Sequence, residues 1–440
     1  MKIITKQIIF ILCFTILFNM GHAQSGTHSV DVKSFGAKGD GITDDSKAII
    51  SAINAGDIIV FPKGRYLIAG TLHLNNLNNK HIIARNAIIL NNNNNAPSIV
   101  ISNANNITIE GGTWTRTVLP DKIGAQNNEH TFTFIAIKGL TVTGIHIIGS
   151  PQMGICMMNV IGAKIDHNTI EKCFRDGIYS HYSADLVYSN NHLKDIKDDA
   201  MSVHDYGIPA QKTIIMNAGF QQAGHAKIFN NVVTNAYQGI SSIGCDNLLI
   251  EGNNISNTVG AGIAVFNSLT LSKGTTATVK NVVIKNNTLN YSGGTTKIMA
   301  GSYDNNGQLS SGRSALYVTA EDESNLILHP INRISNVVIT GNVITNSYVN
   351  GAYIAQVDGL VFENNSFTDC DISRSRFSGR IVEIKNCTGA SIFNNTVIDD
   401  RRKPLHDAGY DLTNVTGKVG NWTVKGHIDP VAGYMSGVHP

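Results

Sequence analysis

A regularly repeated asparagine constrains the fold of this chain more than any other feature. Eight short segments align, each with alternating apolar residues, a turn at Asn or Gly, and a second alternating pair. The shortest separations between the aligned asparagines are 22 to 23 residues, and the longer ones fit one coil plus an inserted loop. The aligned residues are Asn168, Asn191, Asn231, Asn253, Asn287, Asn342, Asn365 and Asn395.

A period of this size with strand-like alternation predicts a solenoid of short parallel strands, in which each coil buries its inner face against its neighbours. Asn suits the repeated turn because it tolerates a left-handed backbone and its amide can bond to the amide one coil away. Propeller blades would need a period about twice as long. We therefore predict an all-β fold, a right-handed parallel β-helix.

The segment before the coils, at about residues 29–65, predicts a cap for the open end of this solenoid. Thr43 or Asp44 can cap a helix that runs roughly to Ala55, with Gly56 at its end. A short amphipathic helix there would cover the apolar core and strand edges of the first coil. The run from Phe35 to Gly41, followed by Asp-Asp and Ala-Ile, resembles the N-terminal signature of the pectate-lyase-like β-helix superfamily. That resemblance implies the fold and leaves the reaction open.

The first 23 residues have the pattern of a secretory signal peptide, with Lys2 and Lys6 before an apolar run and Ala23 at its end. We expect residues 24–440 to form a single β-helix domain that is secreted or periplasmic, without a membrane span. A net charge of +2 and only two Trp give no reason to expect a nucleic-acid partner. The five cysteines after the signal have no metal-like spacing and are expected to be buried small side chains.

Residues 174–205 contain nearly the same sequence pattern twice. Asp176 and His181 are followed, 23 residues later, by Asp199 and His204 at the equivalent positions. Adjacent coils lie about 4.8 Å apart, so residues one period apart become neighbours in space. We predict that three carboxylates, including Asp198, gather there beside two imidazoles. The alternation predicts two sets of side chains: Ile178, Met201 and Ile240 point inward, and Tyr179, His181, Ser202, His204 and Ser241 point to solvent.

Crowded carboxylates suggest hydrolytic chemistry. Like charges at this range oppose joint ionisation and raise the pKa of at least one of the acids. One protonated and one ionised carboxyl are what glycosidic bond cleavage needs, a proton donor to the leaving oxygen and a base for water. A local backbone cap is the structural alternative for any one of these acids, and the same carboxylates could instead bind a structural calcium ion.

The arrangement resembles the polygalacturonase-type glycoside hydrolases of the same superfamily. Asp176-Gly177 matches their first motif, Asp198-Asp199 the second, and Gly239-Ile240-Ser241 the third. The resemblance implies that Asp199 or Asp198 is the general acid, that the other acids activate water, that no cofactor is required and that the configuration inverts. Coil spacing alone would favour retention instead. Asp-Asp followed by His also resembles the β-helix exo-α-galactosidases.

The chain departs from that family pattern at three positions. Arg175 stands where the family has Thr, Lys197 where it has Gly, and Gln238 where it has His. The Arg-Ile-Lys motif of the family is not found, and His204 could take over the imidazole role. The catalytic candidates are therefore Asp176, Asp198, Asp199 and His204, and the substrate-binding candidates are His181, Tyr179, Arg175, Lys197, Ser202 and Gln238.

Loops that could form the walls of a substrate groove follow His204 and lie between Asn287 and Asn342, where Arg313 and the acidic run 321–323 occur. A basic run, Arg374, Arg376 and Arg380, could meet anionic groups on a polysaccharide.

Two other functions remain open from the sequence. A polysaccharide lyase or uronate epimerase on the same scaffold could recruit Lys197, Arg175 and His204 as base and charge neutraliser. A surface β-helix that binds glycans without catalysis is the second. Under each of these hypotheses, the partner is a polysaccharide or oligosaccharide.

Overall fold

The computed structural model describes residues 27–207, 223–268, 277–293, 313–321, 332–372, 380–401, 408–426 and 433–436. In these ranges, strands pair in parallel with strands of the coil before and the coil after, and together they form a right-handed parallel β-helix. The predicted fold class is confirmed. The predicted signal peptide at residues 1–23 lies outside the described residues.

The described elements include one 3-10 helix (Val32–Phe35), one α-helix, α1 (Ser46–Ala55), and 35 strands. The strands are β1 (Ser29–Asp31), β2 (Asp40–Asp44), β3 (Ile58–Val60), β4 (Gly64–Ile68), β5 (Leu72–Asn75), β6 (Asn78–Ile83), β7 (Ala87–Asn91), β8 (Ile99–Glu110), β9 (Thr113–Arg116), β10 (Phe132–Thr143), β11 (His146–Ser150), β12 (Ile155–Met158), β13 (Ile161–Asp166), β14 (Thr169–Cys173), β15 (Ile178–His181), β16 (Ala184–Ser189), β17 (His192–His204), β18 (Lys227–Phe229), β19 (Val232–Ile243), β20 (Leu248–Glu251), β21 (Asn254–Thr258), β22 (Ile263–Phe266), β23 (Lys280–Lys285), β24 (Thr288–Asn290), β25 (Leu316–Thr319), β26 (Ile334–Thr340), β27 (Val343–Thr345), β28 (Ala352–Ala355), β29 (Val357–Glu363), β30 (Ser366–Thr368), β31 (Arg380–Phe393), β32 (Thr396–Asp399), β33 (Ala408–Gly420), β34 (Thr423–Gly426) and β35 (Gly433–Ser436).

These strands form three faces around one core, and long strands such as β17 and β19 bend from one face to the next. We call front face the series that contains β12, β15, the end of β17, the end of β19, β22, β25 and β28. Inward residues of this face, including Ile178, Met201 and Ile240, are in register and fully buried, as predicted. Burial of each such side chain contributes roughly 2 kcal/mol to stability.

The eight repeated asparagines form a continuous ladder inside one corner of the β-helix. Each side-chain Nδ2 donates to Oδ1 of the ladder residue one coil on, at 2.9–3.1 Å, from Asn168 through to Asn395. The left-handed backbone lies one residue earlier than predicted, for example at His167 (φ 56°), Asn190 (φ 55°) and Gly341 (φ 66°). The turn residue thus bends the chain, and the following Asn points its amide inward.

The capping helix α1 is present and ends at Ala55 as predicted, but it begins at Ser46, with Asp45 as its N-cap. The Asp45 carboxylate is not available to cap its own helix because it accepts from the backbone N–H groups of Lys38 (2.6 Å) and Gly39 (3.1 Å). Ile49, Ala52 and Ile53 bury the apolar stripe of the helix against the first coils.

The five cysteines of the described ranges are free thiols and all buried, which confirms their predicted packing role. Among the described residues, helices are too short or too polar to cross a membrane.

Candidate functional site

Three consecutive coils of the front face, carried by β15, β17 and β19, bring the predicted site residues together. Tyr179 lies opposite Ser202, and Ser202 opposite Ser241, while His181 lies opposite His204. Gly177 follows Asp176 because a Cβ there would lie 2.6 Å from the Ala200 carbonyl oxygen of the next coil. The close approach of the next coil therefore requires glycine at this position, directly after Asp176.

The expectation that the outward residues face solvent is wrong for three of them. Ser202 and Ser241 are fully buried, and His204 is 7% exposed. Aromatic side chains cover the sheet here: the ring centroid of His204 lies 5.3 Å from that of Tyr179 and 6.0 Å from that of Tyr206. Tyr179 and His181 themselves stay partly exposed. Long neighbours thus shield short outward side chains from water.

A break in strand register presents Asp198 and Asp199 to the same site. Ile196 pairs with Ala236, whereas Asp199 pairs with Gln238, so two residues of β17 oppose only Tyr237 of β19. This is a β-bulge, and a bulge re-aims side chains that would otherwise alternate between faces. Two consecutive acids can therefore both contact residues of the neighbouring coils.

Polar contacts hold the three carboxylates in place. The Ser202 hydroxyl donates to Asp176 Oδ2 at 2.6 Å, and Arg175 Nε donates to Asp198 Oδ2 at 2.8 Å. The same Arg175 nitrogen lies 4.0 Å from Asp176 Oδ1. Asp176 is buried, whereas the Asp198 side chain keeps 31% of its surface exposed. Asp198 is thus the site acid that a molecule arriving from solvent would meet first.

Asp199 is buried in a separate set of contacts. Gln238 Nε2 donates to Asp199 Oδ1 at 2.7 Å, and His204 Nε2 lies 3.6 Å from Asp199 Oδ2. On its other side, Gln238 Oε1 accepts from Arg313 Nη1 at 2.6 Å. The sequence indicated Arg313 only as part of a loop, and the structure brings it into the chain of contacts that ends at Asp199.

The environments of the three carboxyl groups drive their pKa values apart. Burial and the charges of Asp198 and Asp199 raise the pKa of Asp176 well above its usual range. Burial and the adjacent Asp199 raise the pKa of Asp198 to about 6, against the opposing effect of Arg175. Burial would also raise the pKa of Asp199, but His204, Gln238 and Arg313 together lower it. Near neutral pH the cluster therefore holds a retained proton beside an ionised carboxylate, as the crowding predicted.

The structure places the other predicted residues differently. The His181 ring stacks on Tyr182 at 4.0 Å, and in the part of the chain the structure describes, no carboxylate contacts it. Burial, with the nearby His204, lowers the pKa of His181 to about 3, so its imidazole is neutral. Lys197 is partly exposed, and its side chain makes no hydrogen bond or ion pair with another described residue.

Several loop residues fall outside the site or outside the described ranges. Asp322, Glu323, Arg374, Arg376 and the insertion at 208–222 lie outside the described residues. Glu321 lies two residues after β25 and accepts a hydrogen bond from Tyr353 at 2.5 Å, and Arg380 begins β31. Within the described ranges, no group of three or more His, Cys, Asp or Glu side chains has the geometry to hold a metal ion.

Comparison with solved structures shows the fold in proteins of different kinds. The N-terminal fragment of bacteriophage phi29 gene product 12 is 18% identical with a TM-score of 0.65, and the match covers 93% of this chain and 72% of that one. The Streptococcus pneumoniae surface protein and adhesin PfbA is 20% identical, with a TM-score of 0.54 and coverage of 94% and 100%. A family 28 exopolygalacturonase from Yersinia enterocolitica is 15% identical, with a TM-score of 0.51 and coverage of 92% and 80%.

Sequence comparison gives one short and one extensive match. A 51-residue stretch is 47% identical to the non-secreted LysM effector LysM19 of Penicillium expansum, and it spans 11% of this chain and only 4% of that protein. A family model described as rhamnogalacturonase A/epimerase, pectate lyase-like, matches residues 29–264, which is more than half of the chain and includes α1, the bulge and all three acids. The chain belongs to this rhamnogalacturonase A/epimerase, pectate lyase-like family.

Proposed function

We propose that this protein is a secreted enzyme that hydrolyses glycosidic bonds of a polysaccharide or oligosaccharide by acid–base catalysis at Asp176, Asp198 and Asp199. One observation carries the proposal: the β17 bulge sets two adjacent carboxyl groups in one site and gives them opposite pKa shifts. Pairs of carboxyl groups whose environments separate their pKa values are typical of catalytic acid and base assignments. The export of the chain rests on the signal-like residues 1–23.

The contacts support a division of labour between the acids. Asp198, with a pKa of about 6 and a partly exposed side chain, is the proton donor to the leaving glycosidic oxygen. Asp199 stays ionised and accepts a proton from water, whose oxygen then bonds to the anomeric carbon. Asp176 keeps its proton and limits the negative charge of the cluster.

The remaining predicted residues surround this centre. Arg175 orients Asp198, and Ser202 orients Asp176. His204 supports the charge of Asp199 and takes the imidazole role. Tyr179 and His181, both partly exposed, line the surface on which a sugar would rest. Gln238 acts through its hydrogen bond to Asp199.

The lyase or epimerase alternative has weaker support at this site. Such a reaction needs a base to remove a proton next to a uronate carboxylate. The pKa of Arg175 is raised by the Asp198 charge in spite of burial, which makes the guanidinium a poorer base. Among the described residues, the Lys197 side chain forms no ion pair with the acids, which leaves His204 as the candidate base.

The test is a screen of purified protein against plant, algal and host glycans for newly formed reducing ends. We expect release by the wild type and losses of about 100-fold or more for Asp198→Asn and Asp199→Asn, the range typical of general acids and bases. Asp185→Asn is the matched control, because Asp185 is an exposed aspartate with a left-handed backbone that Asn tolerates.

Each of the other outcomes of the screen would contradict part of the proposal. Products that absorb ultraviolet light through a new double bond would identify a lyase. Binding of a glycan without cleavage would identify a surface binding protein, the kind of protein that the adhesin PfbA is described to be. Release that survives both substitutions would overturn the assignment of the site.

A further inference from the structure

We propose that Arg313 is a positioning residue for the reaction proposed above, and that it acts through Gln238 to hold Asp199 as the oriented, ionised base. This inference rests on the proposed function for its role in catalysis. Its structural part, the dependence of Asp199 on Arg313, can be measured without a substrate.

A buried chain of three side chains carries the inference. Arg313 Nη1 donates to Gln238 Oε1 at 2.6 Å, and Gln238 Nε2 donates to Asp199 Oδ1 at 2.7 Å. All three residues are nearly removed from solvent, with exposures of 9%, 3% and 5%. In such surroundings hydrogen bonds polarise one another and charges act over longer distances than in water.

Arg313 fixes which way the Gln238 amide faces. A glutamine amide has an acceptor oxygen and a donor NH2 group, and either could point toward a neighbour. The guanidinium can only donate, so it selects the amide oxygen and leaves the NH2 group for Asp199. Without Arg313 the amide can turn over, and its oxygen would then face the Asp199 carboxylate. That orientation favours a protonated Asp199, which cannot act as a base.

The position of Arg313 is itself held by the front face. Its guanidinium carbon lies 4.8 Å from the centre of the Phe266 ring, which is fully buried on β22. The cation therefore rests on an aromatic face between β19 and β25. An arginine 75 residues beyond Gln238 in sequence thus acts through that glutamine on the Asp199 carboxylate.

The arrangement also bears on which acid keeps the proton. The positive charge of Arg313 contributes to the lowered pKa of Asp199, in the same cluster where the pKa of Asp198 is raised to about 6. Loss of Arg313 would let Asp199 compete with Asp198 for protons. The two carboxyl groups would then lose their separate acid and base roles.

The experiment compares Arg313→Met with the wild type by two readouts. The first is the pH dependence of hydrolysis: we expect the acid limb, which reports Asp199, to move to higher pH by about one unit, and kcat to fall about tenfold or more with little change in KM. Arg313→Lys keeps a charged donor and should restore part of the loss. In a Gln238→Ala background, Arg313→Met should cost less than in the wild type, because the hydrogen-bonded intermediary is already gone and only the direct effect of the Arg313 charge remains to be lost.

The second readout is NMR of carboxyl-labelled aspartate, with the Asp199 signal assigned by its loss in Asp199→Asn. We expect the Asp199 pKa to rise in Arg313→Met. Arg333→Met is the matched control, because Arg333 also donates to a glutamine, Gln356, at 2.5 Å on another part of the coil. That variant should lose stability without moving either readout.

The two readouts separate the possible failures. A raised Asp199 pKa in a protein that cleaves no glycan would sustain the role of Arg313 and reject the proposed function. An active enzyme whose Asp199 pKa and acid limb stay unchanged in Arg313→Met would reject the role of Arg313 alone, even if that variant were less stable.

Discussion

At the scale of single residues, one extra residue in β17 organises the candidate site. The bulge between Ile196 and Asp199 places Asp198 against Arg175 and Asp199 against Gln238. A regular strand would send one of these acids to the opposite face of the sheet. The pairing of a protonated and an ionised carboxyl thus follows from a backbone irregularity as much as from the residue types.

The pKa of Asp198 predicts how hydrolysis depends on pH. If Asp198 must be protonated to donate to the leaving oxygen, kcat/KM should fall as pH rises through about 6. Measurement of initial rates across the pH range checks this, and Asp198→Asn should remove the alkaline limb from any residual activity. A rate that stays constant to well above that pH would contradict the assignment of Asp198.

The raised pKa of Asp198 also makes the stability of the folded protein depend on pH, in a direction that follows from the sign of the shift. The folded-state pKa of Asp198 lies above its ordinary 3.8, so the folded protein binds this proton more tightly than the unfolded chain. The stabilisation of the folded protein by this proton is complete at pH values below the pKa of Asp198 in the unfolded chain, and it is lost as pH rises through about 6. The site therefore carries a cost at neutral pH, as functional clusters of like charges do.

Sequence reasoning found the acids but not all of their contacts. The 23-residue repeat was enough to predict that Asp176 and Asp199 lie close together, because the register of neighbouring strands follows from the period. The bulge also left a trace: the ladder residues Asn191 and Asn231 are 40 apart, whereas Met201 and Ile240 are 39 apart. The contact of Arg313 with Gln238 has no such signal in the sequence, since it depends on a long side chain that follows an insertion.

At the scale of elements, the asparagine ladder stabilises the turns between coils. Asn253 shows the pattern: its amide donates to Asn287 Oδ1 and to the Ile228 carbonyl, both at 2.9 Å. Its oxygen accepts from the backbone and the side chain of Asn231 at 3.0 and 2.9 Å. Each ladder amide therefore satisfies buried polar groups of two neighbouring coils, and no apolar residue could replace it.

Replacement of one ladder residue should be costly. Asn253→Ala leaves buried donors and acceptors of the adjacent coils without partners, and each such group costs about 1–3 kcal/mol. We expect the free energy of unfolding to fall by roughly 3 kcal/mol, measured by denaturant titration. Asn254→Ala is the control, since the neighbouring Asn254 side chain is exposed and its substitution should change stability by less than about 0.5 kcal/mol. Equal effects of the two substitutions would contradict a stabilising ladder.

The elements were largely predictable because the repeat is local and periodic. The strand alternation and the ladder positions both came from spacing alone. The start of α1 did not: the sequence predicted Thr43 or Asp44 as the cap, whereas Asp45 is the N-cap residue. The Asp45 carboxylate accepts from the backbone N–H groups of Lys38 and Gly39, contacts that residue spacing does not reveal.

At the scale of the whole molecule, long connections in the sequence begin or end at strands of one face. Residues 205–226 follow β17, residues 267–279 follow β22, and residues 291–315 and 320–333 flank β25, all strands of the front face. The other two faces are joined mainly by short turns. Loops on a rigid scaffold are where binding walls are built, so these connections, which begin or end at strands of the face that carries the acids, are the candidates for such walls.

The fold itself does not decide the function, since proteins of similar fold include an adhesin, a phage protein and an exopolygalacturonase. The sequence was sufficient to predict the family fold, because periodicity and the N-terminal signature both point to it. The reaction depends on side-chain contacts within three coils. The proposed function therefore depends on the chemistry of these carboxylates.

Hydrolysis carried out in water labelled with heavy oxygen tests that chemistry most directly. Mass spectrometry of the products should show one labelled oxygen at each new reducing end, and Asp199→Asn should abolish the labelled product while the control Asp185→Asn preserves it. Unlabelled, unsaturated products, or labelled products that persist in Asp199→Asn, would contradict the account.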